Sequence, residues 1–282
     1  MPQSKIEILR RIKNADIVIT SSINLNHKLL QKCKSLKMLC LACSGYNRVD
    51  IDACHKLGIS VANAPSYSTV AVAEHVFALL LTLMKKIREG DEQVRKGEFL
   101  RRNSNLLQLA GKVFGIVGTG RIGARVAKIA NCYGCKVIAY ALHPSKAREK
   151  RLGVKYVKLR RLLKESDIVS LHVPLDPSTV NLISYQEFKH MRKKPILINT
   201  SRGKVITQRA LIKALSKGLI SGAGLDVLPF EPPQKGDPLL KFSNVVFSPH
   251  WAFHTPEALE NCADTVVANI EAFIAGRGKN IV

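Results

Sequence analysis

The sequence predicts a doubly wound α/β protein in two parts. Three observations carry this. Short β-rich apolar runs alternate with helix-period stretches along the whole chain. Most of those runs are apolar on both parities, as in parallel strands covered by helices on both faces. Midway along the chain, a glycine-rich turn joins one such run to a helical stretch, and there a second series of alternation begins.

Taken in order, "ADIVIT" (15–20), "MLCLAC" (38–43) and "ISVAN" (59–63) read as strands with helical stretches between them. A long apolar helix follows over 69–85. Residues 86–105 are charged and read as an exposed segment. The alternation then resumes through "VFGIVG" (113–118), "KVIAY" (136–140), "VKYV" (154–157), "DIVSLHV" (167–173), "PILINT" (195–200), "ISGAGLDV" (220–227) and "VVFSPH" (245–250), and residues 255–274 read as one amphipathic helix. The boundary between the parts is expected near Asn105. No repeat or low-complexity segment interrupts the pattern.

The bulk composition narrows the function classes. The 282 residues are 46% hydrophobic, enough for a large core. The most apolar helical stretch, 70–84, is too short to cross a membrane and contains Glu74 and His75. The N-terminus lacks the apolar centre of a signal peptide. Seven cysteines at irregular spacing argue for a reducing compartment, so the protein is expected to be cytoplasmic. Cys40-x-x-Cys43 and Cys132-x-x-Cys135 have no neighbouring His or Cys cluster, and no metal site is expected. The net charge of +23 is large. No zinc-finger spacing or RNA-binding aromatic signature accompanies it, so specific nucleic-acid binding is not expected, whereas weak, salt-sensitive association is.

The glycine turn carries the first functional signal. Gly118-x-Gly120-x-x-Gly123 directly follows an apolar strand and opens a helix, the context in which this spacing binds a dinucleotide. Gly118 allows the tight turn, Gly120 lets the backbone approach a pyrophosphate, and Gly123 lets helix and strand pack closely. The next strand ends at Tyr140-Ala141, where an NAD-binding unit of this Rossmann kind usually has an acid for the ribose. Alanine neither grips those hydroxyls nor repels a 2′-phosphate. His143, Ser145, Lys146 and Arg148 follow. NADP or dual use is therefore favoured over strict NAD.

Three later strand ends converge on the same side of the sheet, where ligands sit in open parallel sheets. "PILINT" leads to Arg202, "ISGAGLDV" to Asp226 and Glu231, and "VVFSPH" to His250. An Arg can clamp a carboxylate and polarise the neighbouring carbonyl. A His can protonate the carbonyl oxygen as hydride arrives at the carbon, with a Glu beside it stabilising the imidazolium.

At these residues the sequence resembles the D-isomer-specific 2-hydroxyacid dehydrogenase family, over nearly the whole chain. "GIVGTGRIG" (115–123) is similar to the cofactor signature and "DIVSLHVPLDPSTVNLIS" (167–184) to the segment under the adenosine. "LINTSRGKVI" (197–206), "GAGLDVLPFEPP" (222–233) and "SPHWAFHTPEA" (248–258) are similar to the arginine, glutamate and histidine segments. Residues 42–81 resemble the substrate loop and linking helix. The resemblance implies that Arg202, Glu231 and His250 are catalytic. It implies that backbone amides near Ser44 and Gly45 hold the substrate carboxylate and that Asp226 holds the nicotinamide amide. Arg121, Ile122, His172, Pro174 and Thr200 are implied to line the cofactor. It further implies a flavodoxin-like substrate domain (1–105 and 256–282), a Rossmann cofactor domain (106–255), and a homodimer paired through the cofactor domains and linking segment. The "SYSTVAVAEH" run is nearest to glycerate dehydrogenases and hydroxypyruvate reductases.

The sequence departs from the family at Ala141 and at its start, where 4–13 reads as the helix that follows the first two strands and so implies a substrate domain shortened at its N-terminus. Two alternatives stay open beside a 2-ketoacid reductase: a non-catalytic nucleotide-sensing regulatory or binding protein, and an inactive shortened paralogue.

Overall fold

The computed structural model describes residues 4–21, 23–99 and 105–282. By internal contacts the chain divides into a smaller unit, residues 1–68 and 254–282, and a larger unit, residues 69–253.

The smaller unit is a three-stranded parallel sheet, β1 (Ile17–Thr20), β2 (Met38–Leu41) and β3 (Ser60–Ala62), in that spatial order. Helices α1 (Lys5–Ile12), α2 (His27–Leu30) and α3 (Ile51–Lys56) connect the strands. Each helix starts on a side chain able to accept from its free first-turn amides: Ser4 from Glu7, Asn26 from Leu29, Asp50 from Ala53. Every residue of the central strand β2 is buried, as its unbroken apolar run requires. One face is closed by Ile8, Leu30, Leu39 and Val61, the other by Met38, Cys40, Ala62 and Val266. Val266 lies on α11 (Pro256–Ile274), so the last helix of the chain completes the unit that the first strands begin. Its buried Asn269 donates to the Asn63 carbonyl at 2.9 Å and accepts from Asn280 at 2.8 Å, tying helix, strand end and C-terminus together.

The larger unit is a seven-stranded parallel sheet in the order β10-β9-β8-β7-β4-β5-β6. Its strands are β4 (Val113–Val117), β5 (Lys136–Tyr140), β6 (Lys155–Tyr156), β7 (Ile168–Leu171), β8 (Ile196–Asn199), β9 (Gly222–Leu225) and β10 (Val245–Phe247). The order reverses at β4, which starts the unit and lies between β7 and β5, so the β4 carboxyl end is the switch point where such sheets bind ligands. One face packs beneath α6 (Arg121–Cys132), α7 (Lys146–Leu152) and α4 (Thr69–Lys85), through Val126, Leu152, Leu80 and Phe114. The other packs beneath α8 (Leu159–Glu165), α9 (Tyr185–His190) and α10 (Gln208–Ser216), through Leu162, Phe188 and Leu211. Strands β7, β8 and β9 are buried at every position, matching runs that are apolar on both parities.

The sequence placed the domain boundary near Asn105, whereas the division by contact falls at residue 69. The reason lies in α4. Leu79 and Leu80 are 4% and 0% exposed, and Gly224 of β9 leaves room for the Leu79 Cβ, which a Cβ at Gly224 would meet at 2.9 Å. The helix is therefore part of the larger unit's core. The segment after it, expected to be exposed and charged, forms α5 (Ile87–Arg95) with no buried residue; its 100–104 portion lies outside the described residues.

Leu80→Ala would remove a fully buried side chain from that core. It is expected to destabilise the chain by about 2–5 kcal/mol in urea unfolding, while Ile87→Ala, at a position 58% exposed, is expected to change stability by less than about 0.5 kcal/mol.

Candidate active site

The dinucleotide turn is built by backbone proximity. Gly118 follows β4 at φ +95°, a conformation open to glycine, and a Cβ there would lie 2.6 Å from the His172 carbonyl oxygen. A Cβ at Gly123 would lie 2.0 Å from the Gly118 carbonyl oxygen. The two glycines thus press α6 onto β4 and β4 against the loop after β7. A Cβ at Gly120 would meet nothing within 4 Å. Gly120 caps α6 without a side-chain hydrogen bond, so the first amides of that helix face open space. That combination suits a pyrophosphate: free N–H donors, a positive helix end and no side chain in the way.

The groups around this turn fit the same ligand. Arg121 and Ile122 form the first turn of α6, with Arg121 exposed. The Thr200 hydroxyl, at the end of β8, is buried and has no hydrogen-bond partner among the described residues. His172 accepts or donates a 2.8 Å bond with Ser170 through Nε2, and burial pushes its pKa down to about 3, so its ring is neutral at physiological pH. Pro174 precedes a turn in which the Thr179 hydroxyl donates to its carbonyl at 2.6 Å. Tyr140 and Ala141, at the end of β5, are half-buried. The Arg148 guanidinium reaches back from α7 to donate to the Thr119 carbonyl inside the glycine turn, and its Nε is buried without a partner among the described residues.

On the other side of the switch point, β8, β9 and β10 deliver the reactive groups. His250 Nδ1 and a Glu231 carboxylate oxygen are 2.9 Å apart. The carboxylate is an acceptor, so Nδ1 carries the proton and Nε2 is the nitrogen left for proton exchange. Glu231 is itself steadied by the Leu228 amide at 3.2 Å. Arg202 is placed by Asn199, which is fully buried at the end of β8. The Asn199 side chain donates to the Arg202 carbonyl at 2.9 Å and accepts from the Ser201 amide at 3.0 Å and hydroxyl at 2.8 Å. Gly203 then brings the arginine loop against the glutamate loop, because a Cβ there would lie 2.0 Å from the Leu228 carbonyl carbon. The sequence supplied Arg202, Glu231 and His250; it gave no signal for Asn199 or Gly203 as the parts that hold them.

Asp226 organises the loop after β10. It is 2% exposed, and its carboxylate accepts from the Ser248 hydroxyl at 2.6 Å, the Trp251 amide at 2.8 Å and the Ala252 amide at 3.1 Å. Its own carbonyl accepts the His250 amide at 2.8 Å. Three of these anchors bracket His250, which sits at φ +58°. His75 on α4 is 2.7 Å from the Ser248 hydroxyl. Because that hydroxyl donates to Asp226, His75 Nε2 must donate to it. His75 thus acts as a structural hydrogen-bonding histidine in this network.

In the smaller unit, Ser44 and Gly45 follow β2 in a fixed loop. The Ser44 hydroxyl donates to the Ala64 carbonyl at 2.8 Å, Asn63 donates to the Ser44 carbonyl at 2.7 Å, and the Cys43 thiol donates to the Gly45 carbonyl at 3.1 Å.

A dinucleotide turn at the switch point of a parallel sheet, followed by a hydrogen-bonded His–Glu couple, defines a nicotinamide-dependent oxidoreductase. The profile of the D-isomer specific 2-hydroxyacid dehydrogenase NAD binding domain matches residues 77–252. A glyoxylate reductase of Korarchaeum cryptofilum is 39% identical over 98% of this chain and 84% of its own. A glyoxylate reductase of Thermococcus litoralis is 41% identical over 95% and 83%. Among solved structures, a D-lactate dehydrogenase of Aquifex aeolicus complexed with NAD and lactic acid superposes with a TM-score of 0.88 at 34% identity, over 95% of this chain and 85% of its own. An acyclic imino acid reductase in complex with NADPH and D-arginine superposes with a TM-score of 0.92 at 33% identity, over 99% and 89%. The chain belongs to the D-isomer specific 2-hydroxyacid dehydrogenase family.

Two outcomes follow from this geometry. Gly203→Ala is expected to force the arginine and glutamate loops apart, lowering stability by about 1–3 kcal/mol and 2-ketoacid reduction by about 100-fold; thermal unfolding and steady-state rates check it. His172 has a folded pKa below its unfolded one, so the unfolded chain takes up a proton that the folded chain refuses. Stability is then full above about pH 6.5 and falls as the pH drops from 6.5 toward 3, with a contribution of at most about 1.4 kcal/mol per pH unit. Urea unfolding of His172→Gln is expected to show a shallower loss over that window.

Proposed function

We propose that the protein reduces small 2-ketoacids, glyoxylate or hydroxypyruvate, to D-2-hydroxyacids. The 2.9 Å bond between His250 and Glu231, beside the locked Arg202 loop, is the observation that carries this reading. Arg202 binds the substrate carboxylate and polarises the carbonyl, a task suited to its planar fork of donors. The resemblance also implies backbone amides near Ser44 and Gly45 as donors to a substrate carboxylate. His250 gives the proton on Nε2 to the carbonyl oxygen and takes it back in the reverse direction, while Glu231 keeps Nδ1 protonated and the ring aimed. The nicotinamide, when bound, supplies or accepts the hydride. The glycine turn and the α6 amides hold the pyrophosphate; Arg121, Ile122, His172, Pro174 and Thr200 line the dinucleotide, and Asp226 is the acceptor suited to the nicotinamide amide.

The cofactor reading favours NADPH over strict NADH. Ala141 places no carboxylate at the ribose, and Arg148 holds a cation against the turn itself. The protein is further read as a cytoplasmic homodimer, with exposed Ile87, Val94 and Phe99 in the segment that would pair. Small anionic substrates leave the regulatory alternative without a specific observation in its favour.

The test is reduction of glyoxylate, hydroxypyruvate and pyruvate followed by nicotinamide absorbance. Turnover with NADPH and NADH is expected, with a lower KM for NADPH. Arg148→Gln is expected to raise the NADPH KM by about 10-fold and leave that for NADH within about 2-fold. His250→Ala is expected to lower kcat by about 10²–10⁴-fold with the cofactor Kd unchanged. No turnover of any of the three acids with either cofactor would overturn the proposal.

A further inference from the structure

The charge of the chain is unevenly placed. Residues 136–165 hold ten Lys and Arg against two Asp and Glu, a net of +8 within a chain of +23. Residues 226–282 hold four against seven, a net of −3. The basic stretch is one place in the fold: β5, α7, β6 and α8, at the β6 edge of the seven-stranded sheet. Leu152 of α7 packs with Val137 and Ala139 on one face, and Leu162 of α8 packs with Ile138 on the other. Exposed Lys150 and Arg151 therefore lie over one face, exposed Arg160 and Lys164 over the other, and exposed Lys155 on the edge strand between them. Cations wrap the edge from both sides.

Little acid is available to neutralise them. Glu165 pairs with Arg161, and the Glu149 carboxylate accepts the Tyr156 amide. Protection of a bare strand edge accounts for Lys155. It does not account for the cations on both flanking helices.

We propose that this edge binds the phosphate backbone of duplex DNA without reading its sequence. A row of lysines and arginines is what counterion-releasing contact with a duplex requires. The exposed aromatic side chains, Tyr46, Phe99, Tyr133, Phe230 and Trp251, all lie elsewhere, so the edge has no platform for stacking the bases of a single strand. The hydroxyls of Ser145 and Tyr156 are engaged within the protein, with Arg148 N–H and Thr119, and are not presented to the 2′-hydroxyls through which RNA helices are read. The contact is electrostatic and independent of the ketoacid chemistry.

The experiment is fluorescence anisotropy of a labelled DNA duplex of about 20 base pairs titrated with the full chain at several NaCl concentrations, for which six phosphate contacts predict a loss of affinity of about 10³-fold between about 50 and about 200 mM salt. Lys150→Glu/Arg151→Glu/Lys155→Glu/Arg160→Glu is expected to weaken binding at low salt by at least about 100-fold and to make the log–log salt slope shallower by about 3–4. Its melting temperature and glyoxylate reduction are expected to stay at wild-type values. A second variant, Arg192→Glu/Lys194→Glu/Arg209→Glu/Lys217→Glu, has the same net charge with the edge intact and is expected to lose less than about 10-fold. Equal losses in the two variants, no binding by the wild type, or tighter and equally edge-dependent binding to phosphatidylserine vesicles would each overturn the proposal.

Discussion

The loop that carries His250 depends on one buried carboxylate. Asp226 stands at the end of β9 with 2% of its surface exposed, and a charge in that position is tolerable only when its lone pairs are taken up. Three of its acceptor sites are taken up by the chain that follows β10: the Ser248 hydroxyl and the Trp251 and Ala252 amides. The desolvation of one group is thereby converted into the conformation of a loop. His250 lies at the centre of that loop, at a left-handed φ of +58° that a histidine holds only where its neighbours over-determine it. Removing Asp226 would leave three donors unsatisfied and release the histidine together with its backbone.

The same logic recurs with glycine in place of hydrogen bonds. Gly123 against Gly118, and Gly203 against Leu228, set backbone separations that no side chain permits. The first pair fixes how closely α6 lies against β4. The second fixes how far the arginine loop stands from the glutamate loop. The sheet provides the strand ends in order, and these close approaches set how the loops that leave them lie against one another.

Electrostatics divides the larger unit in a way that suits its ligands. The neutral, desolvated His172 and the orphan Thr200 hydroxyl sit near the glycine turn, where uncapped helix amides supply the positive end. Formal positive charge is present at the turn as Arg121, in the first turn of α6, and as Arg148, whose Nη2 is spent on the Thr119 carbonyl, and it is densest at the β6 edge.

The sequence by itself determined the fold class, the order of the strands along the chain, the glycine turn and the residues Arg202, Glu231 and His250. These are local signals: short β-rich runs apolar on both parities suit strands covered on both sides, and glycines at that spacing between strand and helix leave few other readings. The long helix near 69–85 was legible in its extent, yet its allegiance was not, since an apolar helix records that it is buried and not beneath which sheet. Tertiary structure decided that α4 belongs to the larger unit, and that Asn199, Gly203, Ser248 and His75 hold the loops that carry Arg202, Glu231 and His250. Each of those depends on an approach between segments far apart in sequence, such as His75 with Ser248 or Gly203 with Leu228, and such approaches leave no mark on local composition or periodicity.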